Sequence, residues 1–405
     1  MKKIIAMMLA MAALSVGATE KKYYVDGLFY ELIGGDGAKT AQVVSAEYSE
    51  YPDGFPEGDI VVPETVEIEG ESYKVTNIGD GALYFDMEKR KIYLPSSIAG
   101  IGNAAFGDYI QWGFAGNERT VEMAIPESVE IIGTSGLSYI NAQEELNLPN
   151  IKKIYACGLY NVSSRKIALG PELKVVGNGA FVGCELDELV FEDELAPRSD
   201  DSPMLARRAF KEIKLKELKM PKWEHMRLGD CVGFNCRILE RVIFPDIKTI
   251  EYCYNDGPSG EPWISLTPVI YGYFFMSCPK LKEMVCLSDI PPQITNIDKL
   301  DQYRGILQRD TDTIDFMDNM DGCVLKVPAG SEELYRADPV WGRFQTILGF
   351  ENGDYNLVSI NSVEADKDAT PVYYNLQGIQ VKEPVKGQLY IRKAGAETTK
   401  VILYL

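Results

Sequence analysis

The sequence predicts a solenoid, in which parallel strands stack in successive coils and a small β cap closes each end. Three observations predict it. A phrase recurs from about residue 76 to residue 350: a short apolar strand, a proline, an Ile-Gly step and a small-residue turn with Phe. Neighbouring prolines lie 23 and 24 residues apart (149 − 126 and 245 − 221). One such unit cannot cover its own apolar face, so successive units must stack.

The strand of each unit ends in a proline. Apolar and polar residues alternate along it, which is typical of a strand with one inward face. Proline then ends the ladder, because it has no N–H to donate. The Ile-Gly step and the Ala-Phe pair after it are expected to turn the chain back, with Gly permitting a left-handed or crowded backbone. The strand–proline steps are Ile92–Pro95, Met123–Pro126, Leu146–Pro149, Leu218–Pro221, Val242–Pro245 and Leu325–Pro328.

The two ends of the chain carry other patterns. Residues 1–18 are two lysines, an apolar run and the small residues Val16-Gly17-Ala18, which predict a signal peptide. Residues 19–75 alternate about a Gly-Gly-Asp-Gly turn and predict an N-terminal β cap. We assign residues 76–350 to the solenoid, 351–370 to a linker and 371–405 to a C-terminal β tail.

Composition narrows the location and the partners. The predicted signal peptide leads us to expect an exported protein, extracellular or on the outer cell surface. Outside the first 18 residues no stretch is long and apolar enough to span a bilayer. The formal net charge is −19, from 41 basic and 60 acidic residues. An acidic chain without a basic stripe is a poor partner for nucleic acid, whose binding depends on Lys and Arg.

Eight cysteines in an exported protein could form disulfides. Several of them, however, coincide with a fixed position of the repeat. Cys184, Cys236 and Cys278 each come two or three residues after a Phe and just before the next strand. A cysteine at a recurring position is typical of a small buried side chain that fills the turn. We therefore predict mostly free, buried thiols, with a Cys231–Cys236 or Cys253–Cys278 bridge as the alternative.

The repeated phrases resemble a known family. "SSIAGIGNAAF", "PELKVVGNGAFVGCELDEL" and "FFMSCPKLKEM" are similar to BspA-type bacterial leucine-rich repeats, and residues 327–347 resemble the segment that closes such arrays. The resemblance implies a right-handed leucine-rich repeat solenoid with a parallel β-sheet on one face, mostly turns elsewhere and small β caps at both ends. Residues 371–405 resemble the β tails of some surface proteins, which serve there as sorting segments. A plain β-hairpin domain is the alternative.

The sequence contains few candidate catalytic residues. His225 is the only histidine, it follows a strand–proline step where an exposed loop is expected, and no nucleophile motif accompanies it. The sequence has no phosphate-binding loop, and the spacing of Cys231 and Cys236 to His225 fits no familiar zinc site. We therefore predict that the protein is not an enzyme and needs no cofactor.

The candidate ligand-binding residues are aromatic. Tyr252, Tyr254 and Trp263 fall within or beside a Gly- and Pro-rich insertion, where exposed rings would anchor a protein or stack on a sugar. Tyr271, Phe274 and Phe275 follow it, and packing inside the repeat is the favoured interpretation for those three.

An acidic run is the weak candidate for a metal site. Asp310, Asp312 and Asp315 lie in "RDTDTIDFMDNMDG", and closely spaced carboxylates can wrap Ca²⁺. The spacing misses the EF-hand pattern, and a solvated loop is the favoured interpretation.

The resemblance also supplies the functional hypothesis. It implies a secreted or cell-surface protein that binds or adheres to another protein of the host, the matrix or a neighbouring cell. The alternative is a glycan-binding protein that uses the exposed aromatic residues of the 251–268 insertion.

Overall fold

The structure is a computed structural model. It describes residues 21–34, 37–52, 58–83, 91–106, 121–142, 145–192, 203–253, 271–295, 314–351, 353–356, 358–359, 372–375, 380–381, 389–394 and 397–402.

A 13-stranded sheet runs along the molecule and is its longest feature. Its first three strands are antiparallel, and from Thr40–Val44 onward each strand on the main path pairs in parallel with the next. Its strands are, in pairing order, Tyr23–Val25, Leu28–Ile33, Thr40–Val44, Glu71–Ile78, Gly100–Ile101, Ile131–Ile132, Lys153–Ile154, Val175–Val176, Met204–Leu205, His225–Gly229, Thr249–Cys253 and Gln293–Thr295, with Thr65–Ile68 added beside Glu71–Ile78.

The Ile-Gly steps are strands of this sheet, so the prediction that they turn the chain was wrong in part. Ile132 pairs with Ile154, and Ile154 pairs with Val176, at a step of 22 residues (154 − 132). The crowding expected at the glycine is present. A Cβ on Gly133 would lie 2.6 Å from the carbonyl carbon of Gly102 in the preceding coil. Glycine is therefore required because two backbones approach closely there.

The strand–proline steps form a second set of parallel rows, divided among three sheets. In the N-terminal rows a buried residue alternates with exposed ones, as in Lys91–Tyr93, where Ile92 is buried between two exposed residues. The first of the three sheets has the strands Ile60–Val61, Lys91–Tyr93, Val121–Ala124 and Ile140–Asn141. The second has Glu145–Leu148, Lys166–Leu169 and Glu188–Phe191. The third has Glu217–Lys219, Arg241–Phe244, Glu283–Cys286, Val324–Pro328, Thr346–Phe350 and the antiparallel Val358–Ser359.

The turn after each Ile-Gly row uses left-handed backbone at two positions, four residues apart. Their N–H groups reach the next coil: Cys157 donates to the Asn178 carbonyl at 2.9 Å and Asn161 to the Val182 carbonyl at 2.8 Å. We call this side of the molecule the left-handed ridge. Its first positions are Gly81, Ala104, Ser135, Cys157, Gly179, Arg208 and Cys231, and its second are Tyr139, Asn161, Gly183, Glu212, Asn235 and Ser277. Three short strands follow part of it: Gly233–Phe234, Tyr273–Met276 and Asp315–Met317.

One apolar core runs through the coils, from Leu28 to Ile347. Ile92, Leu146 and Val242 belong to three different sheets, yet all lie in this core, so the coils share one interior. Helix Glu332–Ala337 and the 3₁₀ turn Trp341–Arg343 close its C-terminal end. The Trp341 indole there donates to the Pro292 carbonyl at 3.0 Å. A further 3₁₀ turn is Tyr48–Glu50.

The C-terminal residues form a sheet of their own. Its strands pair antiparallel in the order Gln380–Val381, Val372–Tyr374, Leu389–Ala394 and Glu397–Ile402. The predicted linker, 351–370, lies mostly outside the described residues, as does the predicted signal peptide. None of the helices in the described ranges has the length and apolar character needed to cross a membrane.

Candidate functional site

The structure removes Tyr252 from the predicted set of exposed aromatic residues. Its side chain is 3% exposed, because strand Thr249–Cys253 lies in register beside His225–Gly229 and turns Tyr252 into the core. Its hydroxyl donates to Asp230 Oδ1 at 2.7 Å. A ligand therefore has no access to this ring. Tyr254 and Trp263 lie outside the described residues.

The residues after the insertion largely follow the favoured interpretation. Phe274 and Phe275 are fully buried in the core. Tyr271 is half-buried, and its ring centroid lies 6.4 Å from that of Phe234 on the left-handed ridge. Tyr271 thus retains a surface that a ligand can touch.

Two members of the acidic run, Asp310 and Asp312, lie outside the described residues. Asp315 is on strand Asp315–Met317, where it pairs with Arg343. Asp318 accepts the Ser277 N–H at 3.1 Å. In the described part of the chain, no group of three or more His, Cys, Asp or Glu side chains could hold a metal ion.

His225 is not in a loop as expected. It begins strand His225–Gly229, and its Nδ1 lies 2.8 Å from the Thr249 hydroxyl oxygen of the next strand. The strand begins four residues after Pro221, so the turn that follows the proline has already ended at His225. The ring links two coils and faces no nucleophile that the structure describes.

None of the eight cysteines, all of which lie in the described ranges, forms a disulfide, and all but the half-buried Cys157 are buried. Cys184 and Cys236 lie at the predicted turn position, where their thiols bond to backbone carbonyls of the preceding coil. The Cys184 thiol donates to the Leu159 carbonyl at 2.8 Å, and the Cys236 thiol donates to the Phe210 carbonyl at 3.1 Å. Burial raises the pKa of Cys184 to about 12. Such a thiol stays protonated and is a poor nucleophile at neutral pH.

Sequence reasoning missed a buried ionic cluster at the base of the aromatic insertion. Asp230 and Arg207 are 0% and 1% exposed, and the Arg207 Nε lies 3.4 Å from Asp230 Oδ2. Burial raises the pKa of Asp230, while the Tyr252 hydroxyl and the Arg207 guanidinium oppose that rise. The residue directly after the Ile-Gly step is Asp80, Asn103 or Thr134 in other copies, so an acid at Asp230 did not stand out in the sequence.

Asp230 fixes both ends of the insertion 254–270. Its N–H donates to the Cys253 carbonyl at 3.0 Å. Its Oδ1 accepts the N–H groups of Tyr271 at 3.2 Å and Gly272 at 2.9 Å. The residues that flank the insertion are therefore held by one residue, whose backbone binds Cys253 and whose side chain binds Tyr271 and Gly272.

A cation lies on the left-handed ridge beside this cluster. The Arg208 guanidinium carbon lies 5.2 Å from the centroid of the Phe234 ring. Arg208 and Tyr271 both lie next to the Phe234 ring, so these three residues form one patch, which we call the ridge patch. A guanidinium over an aromatic face beside a second ring can hold an anionic group with an apolar neighbour.

Residues 76–202 match the BspA type Leucine rich repeat region, in six copies. No curated protein matches the chain. Among solved structures, it is similar to a leucine-rich repeat protein from Bacteroides ovatus, with 17% identity, 77% of this chain and 80% of that chain covered, and a TM-score of 0.34. It is also similar to a leucine rich cell surface protein from Faecalibacterium prausnitzii (13% identity, 86% and 100% covered, TM-score 0.31) and to the pneumococcal vaccine antigen PcpA (14%, 83% and 100%, 0.31). The family match and the long parallel sheet confirm the predicted solenoid.

Proposed function

We propose that this protein, a chain with BspA-type leucine-rich repeats, is a non-catalytic binding module that acts outside the cell and recognises another protein. The observation that carries the proposal is the single core from Leu28 to Ile347, which joins all the coils into one body.

A continuous core favours binding for a physical reason. Parallel strands that share one interior cannot shift independently, so the side chains on their outer surfaces keep fixed positions. A preformed surface loses little conformational entropy when a partner binds. Stacked coils also present a surface long enough to contact a folded protein.

We propose a non-catalytic role because the reactive side chains are bonded or buried within the fold. The one histidine bonds to Thr249, and the buried thiols of Cys184 and Cys231 have a pKa raised by burial. Asp230 is bonded to Tyr252 and to backbone N–H groups. Each of these groups stabilises the fold.

Action outside the cell rests on residues 1–18, whose pattern predicts a signal peptide. We assign the protein to the extracellular space or the outer cell surface. Fractionation of the producing cells, with mass measurement of both termini, tests this assignment. The expected N-terminal residue is Thr19, and protein retained inside the cell with Met1 intact would contradict it.

The decisive experiment measures binding of the purified protein to purified extracellular-matrix proteins by biolayer interferometry, alongside a glycan array. Saturable binding to a protein, lost when the solenoid is heat-unfolded, is the expected result. Binding to glycans alone would favour the alternative, which now depends on Tyr254 and Trp263 because Tyr252 is buried. Trp263→Ala would then abolish glycan binding.

A further inference from the structure

Arg208 has a backbone conformation that the repeat normally gives to small residues. Its φ is +56°, in the left-handed region that disfavours residues with side chains. The equivalent positions of other coils carry Gly81, Ala104, Ser135 and Gly179. Arginine is the one charged residue at the first position of the ridge among the described coils. Strained backbone of this kind concentrates where a side chain has a function.

The Arg208 guanidinium also lacks an anionic partner among the residues that the structure describes. Its Nε is buried and has no hydrogen-bond partner there. The Nε atoms of Arg207 and Arg227 are buried likewise, but an acid lies beside each of them: Asp230 is 3.4 Å from Arg207, and Glu251 is 3.3 Å from Arg227. Because the Arg208 side chain as a whole is only half-buried, the rest of its guanidinium can still receive an acceptor from a ligand.

The surroundings of Arg208 favour an anion. Lys211 lies 3.5 Å from Glu212, and the Asn235 amide also bonds to that carboxylate, so Glu212 is already engaged. Arg237 is exposed on the same ridge and donates to Asn235. Two more acids lie near this site in the described part of the chain: Asp230 pairs with Arg207, and the Asp318 carboxylate accepts the Ser277 N–H. The ridge patch is thus a cationic spot on a chain whose net charge is −19.

We propose that the ridge patch binds a carboxylate of the partner protein: an Asp or Glu side chain that Arg208 holds with two N–H groups. The planar guanidinium matches a carboxylate with two parallel hydrogen bonds, and its position over Phe234 orients it in advance. Phe234 and Tyr271 then contact an apolar residue beside the acidic one. The assignment rests on the proposed function, since it names the chemistry of that partner.

The test uses fluorescence anisotropy with two labelled peptides, Gly-Glu-Leu-Glu-Leu-Gly and its Gln counterpart. We expect the full-length protein to bind the Glu peptide at least tenfold more tightly than the Gln peptide. Arg208→Gly is expected to abolish that preference, and Arg208→Lys to weaken binding several-fold, because an ammonium keeps the charge but loses the fork. Arg237→Gln is the matched control, since it removes an exposed cation from the same ridge, and its effect should stay within about twofold.

Thermal unfolding separates recognition from a structural role. Glycine adopts a φ of +56° without strain, so Arg208→Gly should keep or raise the Tm while it removes binding. A lower Tm for Arg208→Gly with peptide binding retained would show that Arg208 serves the fold and would overturn the proposal.

Three further outcomes would also overturn it. One is equal binding of the Glu and Gln peptides. Another is that an oligouronate displaces the Glu peptide at a carboxylate concentration ten times lower than that of the peptide itself, which would make an acidic glycan the ligand. The third is sedimentation velocity showing that Arg208→Gly dissolves a dimer of the chain, which would make a second copy the partner. One result would count against the proposed function alone: no matrix protein binds, but the preference for the Glu peptide still depends on Arg208.

Discussion

The N-terminal and C-terminal coils use the outward face of the strand–proline rows differently. Near the N-terminal end, Val61 and Tyr93 are 64% and 51% exposed and lie in register on neighbouring strands. Near the C-terminal end, Ile243 and Val285 occupy the same position of their rows, yet both are buried, together with Phe350. The chain that leaves the solenoid folds over that face, where Tyr355 packs against Phe350.

The two regions also differ in what joins one coil to the next. In the N-terminal coils short polar side chains reach the preceding backbone: the Ser97 and Ser128 hydroxyls donate to the carbonyls of Val75 and Ile98 at 2.6 Å. In the C-terminal coils a partly buried charged side chain joins neighbouring coils, since Arg241 bridges Glu217 and Glu283, whereas the N-terminal pair of Arg165 and Glu145 is exposed. The repeat therefore fixes where a coil lies, while the interactions between coils vary along the array.

The largest expected effect lies in the C-terminal region. Asp230→Asn leaves the buried Arg207 without its counter-charge, and we expect a loss of about 4 kcal/mol in the free energy of unfolding. Tyr252→Phe, which removes one hydrogen bond to the same carboxylate, should cost about 1–2 kcal/mol. Urea denaturation measures both. Equal losses for the two variants would contradict the assignment of a buried ion pair.

Phe350→Ala tests the covered outward face. It removes a buried ring from the cluster with Ile243 and Val285, and we expect a loss of about 3 kcal/mol in the free energy of unfolding. Tyr93→Ala is the matched control on the bare part of the face, with an expected change of at most about 0.5 kcal/mol. A comparable loss for Tyr93→Ala would mean that the two regions do not differ as described.

The pH dependence of stability tests the charged bridge. Burial alone would raise the pKa of Glu283, but the hydrogen bonds from Arg241 and Lys326 outweigh it and lower the pKa. A lowered pKa in the folded state gives stability that is fully present above the unfolded pKa of about 4.3 and is lost as the pH falls through the folded value.

Glu283→Gln should therefore cost about 1 kcal/mol at pH 7 and flatten the decline of the free energy of unfolding below about pH 4.5. Glu145→Gln breaks the exposed pair with Arg165 in the N-terminal region and should change stability by less than about 0.5 kcal/mol. Urea denaturation from pH 3 to pH 7 gives both values. An unchanged acid slope in Glu283→Gln would refute the role of the bridge.

The smallest effect is expected for the polar links of the N-terminal coils. Ser128→Ala removes the hydrogen bond to Ile98 and should cost about 1 kcal/mol. Ser96→Ala, at an exposed position of the preceding turn, should be neutral within about 0.5 kcal/mol. If both changes are neutral in urea denaturation, this hydrogen bond does not stabilise the stack.

Local periodicity made much of the fold predictable. Ile92, Leu146 and Val242 could be placed in the interior because alternation in a strand fixes which face each residue takes. The buried thiols of Cys184 and Cys236 followed from their recurring position. The Ile-Gly step was mistaken for a turn because strands of two residues are too short to show alternation.

The candidate site was harder to predict, because its residues meet only across coils. Arg208, Phe234 and Tyr271 are far apart in the sequence, and nothing local distinguishes them. Tyr252 was predicted to be exposed since it borders an insertion, but the register with strand His225–Gly229 turns it inward toward Asp230.

By itself the sequence determined that this chain is a stacked array of coils, because each copy repeats the same apolar positions and cannot bury them alone. Only the tertiary structure decided which surfaces stay available. Whether an outward residue is bare like Tyr93 or covered like Val285 depends on what a distant part of the chain places beside it. The same is true of whether an arginine lies beside an acid, like Arg207, or beside an aromatic ring with no acid paired to it among the described residues, like Arg208.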